Sequence, residues 1–164
     1  MSRILVTTFG SSGDLNPFIA LGLGLKSRGH DLIYAVEDTF KNALVEAGFD
    51  SIHHLSGNIY DLVESYAPQL YRRALPFAST RIIIRQYVVP TLQAKIEGLM
   101  AASDGVDLIV APPQHFAASA VGELTSIPLA HVNLSPVSFP SEHVSPHPAP
   151  IALPDPLQRL ANRA

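Results

Sequence analysis

The chain has 164 residues, 47% of them apolar and 15% charged, with a formal net charge of −3. That length allows one compact domain with its own core, and the composition is that of a globular chain. A mildly acidic chain without a clustered basic face excludes a general nucleic-acid partner, and the lack of cysteine excludes disulfide frameworks, thiolate metal sites and cysteine nucleophiles.

Residues 4–9, "ILVTTF", form an apolar, β-branched run that stops at Gly10, the pattern of a buried strand in a parallel sheet. The turn "GSSGDLNP" follows. From residue 17 to 28 apolar side chains recur at helical spacing and Gly29 supplies a stop, so the spacing predicts a helix that opens at Pro17 with Asn16 as its cap. Residues 31–36, "DLIYAV", predict a second strand, and residues 37–49 a second helix with Asp38 as N-cap and Gly48 as C-cap. Further strands are expected at 51–55, 107–111 ("DLIVA") and 129–133 ("LAHVN"), with a helix in "HFAASAVGELTS" joining the last two. Such alternation implies right-handed crossovers and an α/β fold, a doubly wound, Rossmann-like parallel sheet whose ligands gather at the strand C-termini.

Between the third and fourth strands lies an insertion, residues 56–103, helical in pattern but punctuated by Pro68, Pro76 and Pro90. Its apolar residues, among them Leu75, Phe77, Tyr87, Val88 and Leu92, alternate with Arg72, Arg73, Arg81 and Arg85. They serve either as a core-facing stripe with solvated arginines or as an apolar wall for a ligand. Residues 135–156 are rich in Pro and Ser and read as a loop, and 156–164 as a turn or two of amphipathic helix. No apolar run reaches the ~18 residues of a membrane span, and no export signal opens the chain, so it is expected to be soluble and cytoplasmic.

The turn after the first strand carries one acid, Asp14, and two glycines, Gly10 and Gly13. Glycine lets backbone approach a ligand, and amides at a helix N-terminus attract phosphate or carboxylate. No Lys-Ser or Lys-Thr follows the glycines and no G-x-G-x-x-G is present, which weakens the P-loop and dinucleotide readings and leaves a nucleotide-dependent oxidoreductase as a distant third reading. Asp14 is either a helix cap or a catalytic group. A cap at Asn16 would leave its carboxylate outside the helix and open to the cleft.

"GSSGDLNPFIALGLGLKSRGH" resembles the opening signature of GT-B glycosyltransferases of the UDP-glycosyltransferase type, a group with sterol, antibiotic and rhamnolipid-forming members. The helical insertion, "DLIVAPPQHF", "IPLAHVNLSP" and the Pro-rich stretch follow in the same order, so the resemblance covers essentially the whole chain. It implies an N-terminal, acceptor-binding domain, with a UDP- or dTDP-sugar donor held by a C-terminal domain whose His- and Gly-rich signature is absent here. It implies that Asp14 is the general base in an inverting transfer to a hydroxyl of a small, lipophilic acceptor, where many relatives use a histidine. A free carboxylate is a weak base towards an alcohol, but the proton need move only as the new C–O bond forms.

The same resemblance places Gly10, Ser11, Ser12 and Gly13 near the donor. Phe9, His115, Ser135 and Ser138 are candidates for the acceptor pocket, each with a structural alternative: a core aromatic, a capping or solvent-facing histidine, and turn serines. His115 is also a candidate second proton handler. His53 and His54 are adjacent and His143 and His147 are separated by prolines, so no metal ligand set is expected. The expected partners are the acceptor and the chain's own donor domain, with peripheral membrane contact left open. By itself the domain is expected not to transfer sugar. The competing reading is a stand-alone binding module.

Overall fold

The computed structural model describes residues 1–70 and 78–135. Five parallel strands form one sheet in the order β3-β2-β1-β4-β5, with β1 at Arg3–Thr7, β2 at Asp31–Val36, β3 at Ile52–His54, β4 at Leu108–Ala111 and β5 at Leu129–His131. Leu5 pairs in register with Ile33 on one side and Ile109 on the other, and Ile109 with Leu129. The chain winds outward from β1 to β3, then crosses back to build β4 and β5 on the opposite side. This is the doubly wound, Rossmann-like α/β sheet that the sequence predicts, with a switch point between β1 and β4.

Both faces of the sheet are covered, which is why its strands carry apolar residues on both sides. Leu5, Ile33, Ala35, Ile109 and Ala111 face Leu99 of helix α5 (Val89–Ala102) and Val121 of α6 (Phe116–Thr125). Ile4, Val6, Tyr34 and Val110 face Phe18 of α1 (Ser12–Lys26) and Leu44 of α2 (Lys41–Glu46). Each fully buried side chain of this size contributes about 2 kcal/mol by leaving water. Gly22 makes room for Tyr34, whose buried hydroxyl donates to the Phe18 carbonyl at 2.9 Å. This contact ties α1 to β2 and so places the N-terminus of α1 at the end of β1.

Two predicted helix starts are corrected. Helix α1 opens at Ser12, with Ser11 rather than Asn16 as N-cap, and Pro17 lies inside it. A reciprocal Ser11–Asp14 cap starts the helix before the proline is reached. Asp38 caps nothing: it opens a short 3-10 turn, Asp38–Phe40, and its carboxylate meets His54 Nδ1 at 2.8 Å.

Between β3 and β4 the described residues are largely helical: α3 (Ile59–Leu70), α4 (Ala78–Ile83), a π turn (Ile84–Val88) and α5. Pro90 lacks the N–H that would bond back to the fourth residue before it, and the wider π turn lies directly ahead of it. Tyr87 is buried, Leu92 and Ile96 pack on the core, and Arg81 and Arg85 are exposed. Arg72, Arg73, Leu75, Pro76, Phe77, Ser138, His143, His147 and the Pro-rich stretch after Ser135 lie outside the described residues. No described helix is long and apolar enough to cross a membrane.

Candidate functional site

The loops after β1 and β4 part at the switch point, and a cavity of about 270 Å³ opens there. It is lined by Phe9, Gly10, Asp14, Pro112 and Gln114, with Leu134 and Ser135 from the chain after β5. Four residues singled out from sequence, Phe9, Gly10, Asp14 and Ser135, therefore meet at one place.

Asp14 is both a cap and a cavity residue. Its Oδ2 accepts from the Ser11 amide at 2.7 Å and from Ser11 Oγ at 3.0 Å, while Ser11 Oγ accepts from the Gly13 amide at 3.2 Å. Among the described residues its other oxygen, Oδ1, makes no hydrogen bond. The side chain is half-buried. Being held in its own helix cap thus orients the carboxylate without closing it off from the cavity.

Gly10 explains how the loop comes so near. Its φ is +114°, and a Cβ there would lie 2.4 Å from Asp14 Oδ2, so glycine is required by backbone and by space. Gly13, in contrast, sits in the first helical turn. The Ser11 and Gly13 amides are already engaged by the cap, which occupies part of the anion-attracting surface expected of this turn.

Of the readings open for His115, the geometry is that of the cap. It is buried, forms the N-cap of α6 and lines a different space. Nδ1 accepts from the Ala118 amide at 3.3 Å, which places the proton on Nε2 and makes that nitrogen the donor to Thr7 Oγ1 at 3.1 Å. Burial, aided by the positive charge of Lys95, pushes its pKa down to about 3, against an opposing backbone hydrogen bond. With both nitrogens engaged and the ring held neutral, His115 serves as the cap of α6.

Beside it lies a cluster that sequence reasoning missed. Glu37, at the end of β2, is buried, as is Lys95 on α5. Glu37 Oε1 accepts from Lys95 Nζ at 2.8 Å and from the Tyr87 hydroxyl, and Lys95 Nζ also donates to the Tyr87 oxygen at 2.8 Å. The ammonium stands 4.3 Å from the Tyr87 ring centroid and 5.5 Å from that of Phe9, close enough for cation–π attraction. Burial lowers the pKa of Lys95 from its ordinary value, and the Glu37 carboxylate opposes that shift. Burial raises that of Tyr87, and its hydrogen bond to Glu37 and that residue's charge add to the rise. Glu37 Oε2 is buried without a partner among the described residues. The signal for this cluster was a charged residue on an otherwise apolar helix face, one turn beyond Thr91 and Leu92.

Lys95, His115 and Phe9 line a slot of about 20 Å³, room for roughly one water molecule, with Tyr87, Val88, Thr91 and Leu92 also on its walls. Phe9 and Gln114 border both this slot and the larger cavity. No three histidine, aspartate or glutamate side chains converge as a metal site among the described residues.

Comparison with known proteins agrees with the fold. The model of the glycosyltransferase family 28 N-terminal domain matches residues 4–139. An O-mycaminosyltylonolide 6-deoxyallosyltransferase of Streptomyces fradiae is 30% identical over 143 residues, which cover 82% of this chain and 31% of that protein. A UDP-sugar-dependent glycosyltransferase 52 of Dictyostelium discoideum is 27% identical over 157 residues, 92% of this chain and 9% of the other. The chain thus spans a third or less of these two relatives. Among solved structures, the glycosyltransferase SsfS6 of Streptomyces sp. SF2575, complexed with thymidine diphosphate, superposes with a TM-score of 0.63 at 19% identity, over 81% of this chain and 38% of that one.

Proposed function

Because the chain belongs to the glycosyltransferase family 28 N-terminal domain family and has the fold of a GT-B N-terminal half, we propose that it is the acceptor-binding half of an inverting glycosyltransferase. A nucleotide sugar, UDP- or dTDP-linked, is held by a second domain, and the acceptor is a small apolar alcohol seated against Phe9, Pro112 and Leu134. We place this activity in the cytoplasm, and the domain alone does not transfer sugar.

The observation that carries the reading is Asp14: a carboxylate with one oxygen fixed by the helix cap, lining a cavity at the switch point. In the proposed step Asp14 takes the acceptor hydroxyl's proton as that oxygen attacks the anomeric carbon. The bond from that carbon to the diphosphate breaks, and the nucleoside diphosphate leaves with the electron pair. The cap's role is to hold the base before the reaction begins, so that little reorganisation is needed during it. Gly10 to Gly13 border the side from which the donor approaches.

The test is transfer from UDP- and dTDP-sugars to apolar alcohols, assayed with the chain alone and as the N-terminal half of a two-domain protein, each with and without Asp14→Asn. Turnover only in the two-domain form, abolished by the substitution while alcohol binding persists, is expected. Undiminished turnover in the variant removes the base from Asp14. Alcohol binding without transfer in either form favours a stand-alone binding module.

A further inference from the structure

The slot beside the main cavity differs from it in chemistry. The 270 Å³ cavity presents Asp14 and Ser135 in its walls, whereas the slot is of water size and mostly apolar, with Lys95 the charged residue lining it. Lys95 is 6% exposed and Glu37 1%, so this is a built, desolvated charge pair rather than a surface lysine folded inward. An ammonium has three N–H donors. Glu37 Oε1 and the Tyr87 oxygen take two of them, and among the described residues no further hydrogen-bond acceptor meets Nζ. A buried donor left over is costly unless a ligand or a water completes it.

Size decides what can complete it. About 20 Å³ admits one oxygen atom with its hydrogen, not a ring or a sugar. Phe9 and Gln114 stand in the walls of both, so the slot and the cavity are neighbours.

We infer that Lys95 is a specificity-determining residue: it selects acceptors that carry, besides the reacting hydroxyl, a second hydrogen-bond-accepting oxygen, hydroxyl or carbonyl, which enters the slot and receives the remaining Lys95 N–H. This deepens the proposed function and rests on the acceptor lying in the Asp14 cavity. Glu37 and Tyr87 act through Lys95. They fix the ammonium at the slot, and Gly57, whose Cβ would come within 3.0 Å of Glu37 Oε1 and 3.4 Å of Lys95 Cε, leaves the pair room. An apolar body with one oxygen gains only the cavity. One with two correctly spaced oxygens gains a charge-assisted hydrogen bond in a water-poor place.

Calorimetric titration of the chain with 2-naphthol and with 2,6-dihydroxynaphthalene tests this, the two probes differing only in the second oxygen. The unaltered chain is expected to bind the diol about tenfold more tightly, the size of one charge-assisted hydrogen bond. The paired variant Glu37→Gln with Lys95→Met removes both charges together and leaves no lone buried ion. It is expected to bind 2-naphthol as before and to lose the preference for the diol, with an unchanged circular dichroism spectrum as the folding check. Equal binding of the two probes by the unaltered chain, or an equal preference in the paired variant, overturns the role of Lys95 and leaves the acceptor cavity standing. Failure of the unaltered chain to bind either probe overturns both, since the slot then has no occupied cavity beside it.

Discussion

Two polar sites border the same switch point, and they are built in opposite ways. Asp14 is held by its own helix turn: its partner, Ser11, is three residues away and exposed, and the cap is complete within residues 11–14. The Glu37–Tyr87–Lys95 cluster is assembled across the fold, with partners 50 and 58 residues apart in sequence and nearly all of its surface buried. A locally held, partly solvated carboxylate can change its protonation or its ligand at small cost to the fold. A buried ion pair cannot, because each charge depends on the other for what water would have supplied. The first is suited to chemistry and the second to shaping a pocket.

The largest expected effect follows from breaking the buried side alone. Lys95→Met leaves the Glu37 carboxylate desolvated without its cation, and unfolding by urea should show a loss of about 3–5 kcal/mol. The paired substitution with Glu37→Gln should recover most of that loss. A single variant as stable as the parent chain would show that the pair is far more hydrated than its burial implies.

This contrast also explains what could be read in the sequence. The strands, their order of alternation and the glycine turn are visible because each is written in neighbouring residues: apolar runs, a Gly stop, helical spacing. Phe9, Gly10, Asp14 and Ser135 converge because a parallel sheet sets the chain after β1 and the chain after β5 at the same edge, and the chain-order reading contains that. The start of α1 was misplaced because Pro17 and the Ser11–Asp14 cap both signal a helix N-terminus, and the cap comes first. His115 was placed at the right sheet edge, but its burial depends on α5 and Lys95, which no local pattern supplies. Lys95 stands out only as a charge on an apolar helix face, and nothing in the sequence pairs it with Glu37; the packing of α5 over the end of β2 does that.

The next effect sharpens the buried side by titration. His115 has a folded pKa near 3 against an ordinary value of 6.5, so the unfolded chain binds its proton first as the pH falls. The contribution of the neutral imidazole is fully present above pH 6.5 and is lost on acidification through the window from 6.5 to about 3, at about 1.4 kcal/mol per pH unit. At pH 5 this is a loss of about 2 kcal/mol. Replacing His115 with Gln should flatten that part of the stability profile; an unchanged slope would assign it to other groups.

On the local side, Gly10→Ala meets two obstacles, a φ of +114° and the Asp14 carboxylate. Thermal unfolding should show a cost of about 1–2 kcal/mol, and transfer by a two-domain protein should fall because the loop must move where the proposed base stands. Full stability together with lost transfer would mean that the loop has shifted at no cost to the cap.

Asp14→Asn has the smallest expected effect on stability, and for that reason it separates the two sites best. An asparagine retains a carbonyl oxygen that can accept from the Ser11 amide, so the cap geometry survives and only the negative charge in the first helical turn is lost. That charge is worth about 0.5 kcal/mol there. Its loss as a base should lower transfer about 10²–10⁴-fold, leaving acceptor affinity near that of the parent. A fall in activity matched by a fall of several kcal/mol in stability would point to a structural role for Asp14, because a cap residue that also serves as base should lose its chemistry long before it loses its helix.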